Sequence, residues 1–243
     1  MDVVMNFPRR LQYAWRRHGW RLFGPLLWHN IVYVLGRLRG KCGVADVSEL
    51  DVKLGIDTHR IECTALMKIE GENLLHGHGY QPIGEHTFRQ SVKALDVDLA
   101  RYSFIDYGSG KGRALLLAAE FPFRRIIGVE YARELHDVAV ENVKRAQTTL
   151  PGADRLECVW ADATRYEPPA DPLICFLYNP FDGTVMTRLL DRLDQSYREA
   201  PRDILITYLN PVHRSAIDGH PAAEILNSTD TLVVYRLANK TAK

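Results

Sequence analysis

From residue 101 onward, short apolar runs alternate with longer amphipathic stretches along the chain. The runs have the length of buried strands, and the stretches between them repeat apolar residues with the helical period of about 3.6 residues. This alternation is typical of β-α-β units, which build a largely parallel sheet covered by helices, so it predicts an α/β fold. The predicted strands cover residues 103–107, 125–130, 155–160, 173–179, 204–209, 223–226 and 232–237.

The amphipathic stretches predict four clear helices, and the Pro-Gly and Pro-Pro pairs at 151–152 and 168–169 mark loops between elements. Residues 42–100 are less regular, and several glycines there stand at turn positions. We expect this segment to form a cover or a substrate-facing part ahead of a catalytic domain at residues 101–243. The predicted helices cover residues 85–95, 112–120, 133–148 and 184–200.

The first 41 residues differ in charge from the rest of the chain. They carry eight Lys and Arg against one acid, whereas the other 202 residues carry 23 basic and 29 acidic side chains. The apolar stretch at 22–36 is shorter than the roughly 20 residues that span a membrane. Tryptophans among arginines fit a helix docked on its own domain, an interfacial helix or a targeting segment. We expect a helical extension over residues 1–41, with at most peripheral membrane contact.

Composition also bears on partners and compartment. Basic residues after the arm are scattered among acids without interleaved aromatics, so no sequence-specific nucleic-acid partner is expected. The cysteines lie far apart in no C-x-x-C pair, which indicates neither zinc nor disulfides and favours a cytoplasmic location. His76 and His78 are flanked by glycines that favour a turn, so no metal is expected. The four cysteines are Cys42, Cys63, Cys158 and Cys175.

A glycine-rich segment follows the first predicted strand and opens a helix. Residues 106–112 read Asp-Tyr-Gly-Ser-Gly-Lys-Gly, with G-x-G-x-G spacing rather than the G-x-G-x-x-G of dinucleotide-binding loops. Asp106 stands two residues before the first glycine, where a carboxylate would repel a phosphate but would suit a ligand carrying an ammonium group. An NAD-dependent oxidoreductase is the weaker alternative, because its Tyr-x-x-x-Lys spacing at Tyr107 and Lys111 falls inside the loop.

This pattern resembles the first motif of the class I S-adenosylmethionine-dependent methyltransferases, an acid followed by x-G-x-G-x-G. Glu130 and Asp162 stand where that family places acids for the ribose and the adenine. The resemblance implies a Rossmann-like, doubly wound seven-stranded sheet, mostly parallel with a C-terminal antiparallel strand, and S-adenosyl-L-methionine as cofactor. The implied cofactor-binding residues are Asp106, Tyr107, Gly108, Ser109, Gly110, Gly112, Glu130, Tyr131, Asp162, Ala163 and Asn179.

Three further motifs resemble a bacterial-type subgroup that is described only as methyltransferase-like. They are Gly-Ile-Asp-Thr at 55–58, Tyr-Gln-Pro at 80–82 and Tyr-Asn-Pro-Phe at 178–181. The last of these is a partial match to the [DN]-P-P-[FYW] loop of amino-methylating enzymes, because it has one proline, and it is distantly similar to the Asn-Asn-Phe loop of non-SET lysine methyltransferases. The resemblance implies acceptor-side, catalytic roles for Asn179, Pro180, Phe181 and Tyr80.

The sequence therefore predicts methyl transfer to a nitrogen acceptor, a protein lysine or a small amine. A hydroxyl acceptor and a nucleoside-binding protein without methyl transfer remain alternatives, because the acceptor motif is shortened and a fold alone does not define an activity. If the acceptor must lose a proton, a base is needed. The base candidates are Glu85, His86, Asp182 and His213.

Overall fold

The computed structural model describes residues 47–60 and 79–237 of the chain. The arm at 1–41, the His76 and His78 pair, Cys42 and Cys63 lie outside the described residues. Seven strands form where the apolar runs predict them. They are β1 (Ser103–Tyr107), β2 (Arg125–Glu130), β3 (Leu156–Trp160), β4 (Leu173–Tyr178), β5 (Ile204–Leu209), β6 (Ala223–Ser228) and β7 (Leu232–Leu237).

All seven strands belong to one sheet in the order β3-β2-β1-β4-β5-β7-β6. Strands β1 to β5 run parallel, and β7 inserts between β5 and β6 antiparallel to both. The predicted Rossmann-like sheet with a C-terminal antiparallel strand is therefore confirmed.

Three strand boundaries differ from the prediction by one or two residues. Strand β3 begins later because residues Ala153–Arg155 form a 3-10 turn before it. Strand β4 ends at Tyr178 because Asn179 adopts a left-handed conformation with φ 45°. Strand β6 continues to Ser228 because an irregularity between Ile225 and Asn227 allows its pairing with β7 to resume.

Four of the described helices follow the predicted amphipathic stretches with ends that differ by one or more residues, and two short helices, α1 and α6, were not predicted. Helix α3 begins at Arg113 because Gly112 has φ 84°, which a helix cannot include. Helix α5 begins one residue early because the Asp182 side chain accepts hydrogen bonds from the N–H groups of Thr184 and Val185. The helices are α1 (Glu49–Leu54), α2 (Glu85–Lys93), α3 (Arg113–Ala118), α4 (Arg133–Ala146), α5 (Gly183–Glu199) and α6 (Ser215–Asp218).

Apolar side chains cover both faces of the sheet. On one face an aromatic cluster forms around Phe88 of α2, whose ring lies 5.9 Å from Phe104 and 5.2 Å from Phe176. On the other face α5 packs buried residues such as Met186 and Leu190 against the alternate positions of the same strands. Because successive residues of a strand point to opposite faces, each central strand contributes to both layers.

The strand order reverses between β1 and β4. In open α/β sheets the loops at the carboxyl ends of the strands part at this point and leave a crevice in which ligands bind. The loops after β1, β2 and β4 meet here, and they hold most of the residues that the sequence marks as functional.

Candidate cofactor and acceptor site

A cleft of about 1100 Å³, including its solvent-open part, lies at this switch point. It brings together the glycine loop, the end of β2, the segment after β3 and the loop after β4. Most of the residues predicted from the sequence line it. These are Tyr80, Asp106, Gly108, Ser109, Gly110, Glu130, Tyr131, Asp162, Ala163, Asn179, Pro180 and Phe181.

Two residues of the predicted cofactor set lie elsewhere. The Tyr107 side chain is 1% exposed and packs in the apolar layer on the α5 face, because it follows Asp106 on a strand and so points to the opposite side. Gly112 contacts helix α4 instead of the cleft, where a Cβ atom would lie 3.3 Å from the Cβ of Ala139. Both residues support the loop from outside the cleft.

The three glycines of the loop each admit a different neighbour. All have positive φ, at 82°, 54° and 84° for Gly108, Gly110 and Gly112. A Cβ atom at Gly108 would lie 2.5 Å from the Cβ of Pro180, and one at Gly110 would overlap the ring of Tyr80. The G-x-G-x-G spacing therefore lets the loop after β4 and the segment around Tyr80 pack directly on the glycine loop.

Glu130 joins the glycine loop to the end of β2. One carboxylate oxygen accepts a hydrogen bond from the backbone N–H of Gly110 at 2.8 Å, and the other accepts one from Ala132 at 2.8 Å. Burial raises the pKa of Glu130 to about 7, although these hydrogen bonds oppose the shift. Each oxygen keeps acceptor capacity for a ligand hydroxyl.

Asp106 is a buried carboxyl group, 4% exposed. None of the residues at 47–60 and 79–237 donates a hydrogen bond to its side chain. Burial, and secondarily the neighbouring carboxylate of Glu130, raises its pKa to about 8. A buried carboxyl without a partner is costly, so the site is suited to a ligand that supplies a cation or a donor.

Asp162 stands in the segment after β3 and shapes a turn. Its Oδ1 atom accepts hydrogen bonds from the backbone N–H and the hydroxyl of Thr164, at 2.8 and 2.7 Å. Beside it, the indole N–H of Trp160 donates to the Tyr131 carbonyl at 3.0 Å, and the Arg133 guanidinium lies 4.6 Å from the indole ring. These contacts fix the rim of the cleft next to Tyr131.

The loop after β4 begins at Asn179. Pro180 contacts Gly108, and Phe181 is buried at 6% exposure. The Tyr208 hydroxyl of β5 donates to the Asn179 side-chain oxygen at 3.4 Å and accepts a hydrogen bond from the backbone N–H of His213 at 3.2 Å. One hydroxyl group thereby connects the loops that follow β4 and β5.

A buried polar network attaches helix α1 to the glycine loop. The Arg113 guanidinium forms an ion pair with the Asp51 carboxylate and donates to the Thr58 hydroxyl at 2.7 Å and to the Ile83 carbonyl at 3.2 Å. The Tyr80 hydroxyl donates to the Thr58 carbonyl at 2.7 Å. The ring that lies against Gly110 is thus held in place by residues that precede the sheet.

Although burial opposes ionisation, hydrogen bonds from Ser48 and Thr58 and the charge of Arg113 hold the pKa of Asp51 below its usual value. A second attachment runs through Asn142 of α4, whose amide donates to the carbonyls of Lys111 at 3.0 Å and Asp57 at 3.2 Å. The motifs at 55–58, 80–82 and 108–113 therefore meet in one place.

The four base candidates lie outside the cleft lining. Glu85 accepts hydrogen bonds from the Leu50 N–H at 3.3 Å and from Arg89 at 3.1 Å, and Asp182 caps α5. His86 is exposed on α2, and the His213 backbone binds Tyr208.

Within the described residues, no group of three or more potential ligands could hold a metal ion. Cys158 and Cys175 are free thiols there.

Two residues that shape the site, Gly128 and Asn210, were not predicted from the sequence. Gly128 of β2 gives room to the glycine loop, because a Cβ atom there would lie 2.5 Å from Leu115 and 2.8 Å from the Ser109 hydroxyl. Asn210 lines the cleft immediately after β5. A signal for Asn210 was present, since Asn-Pro occurs twice, at 179–180 and at 210–211, each time at the end of a predicted strand.

A scan against protein-family models found no match for the chain, and a search of curated proteins found no relative. Several solved structures are similar to parts of this chain. An RNA methyltransferase from Salinibacter ruber, in complex with S-adenosyl-L-homocysteine, is 19% identical over 67% of this chain and 97% of its own, with a TM-score of 0.42. A SAM-dependent methyltransferase from Aquifex aeolicus is 9% identical over 65% of this chain and 100% of its own, with a TM-score of 0.48.

The ribosomal protein L11 methylase from Lactobacillus delbrueckii subsp. bulgaricus is 12% identical over 65% of this chain and 81% of its own, with a TM-score of 0.45. The described helices include none that is long and apolar enough to cross a membrane.

Proposed function

We propose that this chain is an S-adenosylmethionine-dependent methyltransferase that acts on a nitrogen acceptor, either a protein lysine or a small amine. The observation that carries the proposal is the buried, unpaired carboxyl of Asp106 beside Glu130, beneath a glycine loop. The loop leaves space for a ligand backbone, and the carboxyl matches a ligand that brings its own ammonium group.

The charges around the cleft support this cofactor over a dinucleotide. Three acids line it, Asp106, Glu130 and Asp162, and the lining arginine, Arg113, is already paired with Asp51. The phosphates of NAD would add negative charge beside these acids, whereas S-adenosylmethionine carries an ammonium and a sulfonium, which would favour the ionised form of Asp106. Asp106 would hold the cationic end, Glu130 the ribose hydroxyls and Asp162 the adenine.

When bound, the cofactor supplies a methyl group activated by the sulfonium. The chain contributes position, which can be worth about 7 to 11 kcal/mol for well-oriented groups. Tyr80 presents an aromatic ring beside Gly110, and the face of such a ring attracts a cation. Pro180 and Phe181 close the acceptor side against the glycine loop and exclude water from it.

Nitrogen as the acceptor atom is supported by the groups on that side of the cleft. Asn179 and Asn210 are neutral, and a carboxamide oxygen accepts hydrogen bonds from an N–H group. A hydroxyl or an ammonium must lose a proton to a base, and none of the four candidates in the described part of the chain lines the cleft, so the acceptor nitrogen would enter as a neutral amine with its lone pair free. Transfer to a small-molecule hydroxyl and cofactor binding without transfer are the alternatives.

The roles of the outer segments extend the proposal. The contacts of Asp51, Thr58 and Tyr80 support residues 42–100 as a cover of the cofactor site. The arm at 1–41 would serve as a helical extension of a cytoplasmic enzyme, and its peripheral membrane contact remains a prediction.

The test is transfer of a tritiated methyl group from S-adenosylmethionine to two classes of acceptor, proteins and small amines, taken from separated fractions of a bacterial extract. We expect label on nitrogen, identified by amino-acid analysis or mass spectrometry of the product. Asn179→Ala should lower the transfer at least about tenfold, because it removes an interaction made with the acceptor. Label found on oxygen would contradict the nitrogen assignment, and equal transfer by the variant would contradict the role of Asn179.

A further inference from the structure

Two of the three non-glycine residues with positive φ in the described chain belong to the cleft. Asn179 has φ 45° and Asn210 has φ 48°, and both line it. The third, Asp96, follows helix α2 and does not line the cleft. Left-handed non-glycine residues are uncommon, and such conformations cluster at functional sites.

The two asparagines are neighbours across the sheet. Strands β4 and β5 pair in parallel up to their last residues, Tyr178 and Leu209, and each asparagine directly follows the last residue of its strand. Parallel strands lie about 4.8 Å apart, so the two residues leave the sheet side by side. The Tyr208 hydroxyl, bonded to Asn179 and to the His213 N–H, fixes one loop relative to the other.

The backbone of Asn210 is fully used within its own loop. Its N–H donates to the Thr231 carbonyl at 2.9 Å, and its carbonyl accepts from the Val212 N–H at 2.8 Å. Among the described residues, none forms a hydrogen bond with its carboxamide. That carboxamide is therefore the polar group that Asn210 brings to a ligand.

Asn210 lines two depressions of the surface. Besides the cleft, it lines a second, shallower depression of about 810 Å³, including open solvent, between the loop after β5 and the end of β6 with the loop that follows it. An acceptor that reaches the cofactor from this side passes Asn210. The remaining lining residues are Pro211, Val212, Arg214, Ser228, Thr229 and Asp230.

We propose that Asn210 is a second acceptor-binding residue, whose carboxamide oxygen accepts a hydrogen bond from the acceptor nitrogen alongside Asn179. The inference rests on the proposed function and adds to it a residue that the Asn-Pro-Phe motif does not include. The acceptor is then a neutral primary amine, which has two N–H hydrogens for the two asparagines and a lone pair for the methyl group, at the tip of a chain that lies in the second depression.

The test uses two cofactor analogues and needs no acceptor. Sinefungin carries an amine in place of the sulfonium methyl group, whereas S-adenosylhomocysteine is a thioether with neither a methyl nor an amine at that position. Calorimetry of the full chain gives the ratio of their dissociation constants. Asn210→Gly keeps the left-handed backbone and removes the carboxamide, so it should lower the preference for sinefungin about tenfold while leaving the affinity for S-adenosylhomocysteine unchanged.

Two further variants serve as controls for this measurement. Asn210→Asp keeps an oxygen acceptor at the same place, so it should retain the preference for the amine. Asp96→Gly, a matched glycine substitution at φ 46° away from the cleft, should change neither affinity. An unchanged ratio in Asn210→Gly, or a lost preference in Asn210→Asp, would overturn the role of Asn210. Failure of the unmodified chain to bind S-adenosylhomocysteine would instead overturn the proposed cofactor.

Discussion

The two halves of the cleft are built differently. On the cofactor half, buried strand ends and three glycines place Asp106 beside Glu130, and the Glu130 carboxylate is hydrogen-bonded to the glycine loop. On the acceptor half, two Asn-Pro turns present neutral side chains at the edge of solvent. The cofactor half depends on backbone shape, which strict residue spacing encodes. The acceptor half depends on side-chain tips, which can vary while the backbone stays the same.

The largest effect should come from breaking the frame behind the cofactor half. Asp51→Ala leaves the buried Arg113 guanidinium without its carboxylate, which we expect to lower the free energy of unfolding by about 3 to 5 kcal/mol. Chemical denaturation measures the change. The control Asp194→Ala breaks the exposed ion pair with Arg198 and should cost less than about 1 kcal/mol. Similar losses in both variants would show that the buried network does not support the fold.

A smaller substitution tests the shape of the glycine loop directly. Gly110→Ala places a Cβ atom inside the Tyr80 ring, so binding of S-adenosylhomocysteine should weaken about 100-fold, as calorimetry would show. Gly55→Ala is the matched control, because Gly55 also has positive φ, at 62°, but has no atom within 4 Å of the added carbon. It should lose stability and keep its affinity. Equal affinities for the two variants would mean that the contact with Tyr80 is unimportant.

The pH dependence of binding should separate the two halves. Burial raises the pKa of Asp106 to about 8 in the free protein, and a bound ammonium lowers it again. Affinity for S-adenosylmethionine should therefore rise between about pH 6 and pH 8, by at most about tenfold per pH unit. Asp106→Asn removes the charge at every pH and should flatten this rise, whereas Asn179→Ala should keep it. Calorimetry at several pH values checks both.

The same carboxyl affects the stability of the ligand-free protein in the opposite direction. Its folded pKa lies above the ordinary value of about 3.9, so the folded state binds more protons than the unfolded state between the two values. This group should make the free energy of unfolding decrease as pH rises from about 4 to about 8. The decrease should be smaller in Asp106→Asn, as denaturation at several pH values would reveal.

The smallest effect should appear on the acceptor half. Tyr208→Phe removes the hydroxyl that joins Asn179 to the loop after β5, at a cost of about 1 kcal/mol in stability. The affinity for S-adenosylhomocysteine should stay the same, while methyl transfer should fall severalfold. An unchanged transfer rate would show that Asn179 is positioned without Tyr208.

Most of the sheet could be predicted from the sequence, because buried strands read as apolar runs. Helix α1 was missed, although Ser48 and Asp51 form a capping box that marks its start. The helix is stabilised by a tertiary contact, its ion pair with Arg113, which no local sequence pattern reveals. Local propensity and periodicity describe single elements, whereas this helix is joined by an ion pair to a residue that lies 62 positions later in the chain.

The site shows the same division. Spacing placed Asp106, Gly110 and Glu130 together because the carboxyl ends of parallel strands meet at one edge. It also included Tyr107, although alternation along the strand sends that side chain to the opposite face. Asn210 was missed because it joins the cleft only through the adjacency of β4 and β5, which chain order alone does not give.

The central claim is that Asp106 belongs to a site for S-adenosylmethionine. Calorimetric titration of the full chain with S-adenosylmethionine, and separately with NAD, tests it most directly when repeated on Asp106→Ala. We predict micromolar binding of S-adenosylmethionine that the substitution abolishes, with no comparable binding of NAD. Absence of S-adenosylmethionine binding, or a preference for NAD, would contradict the account.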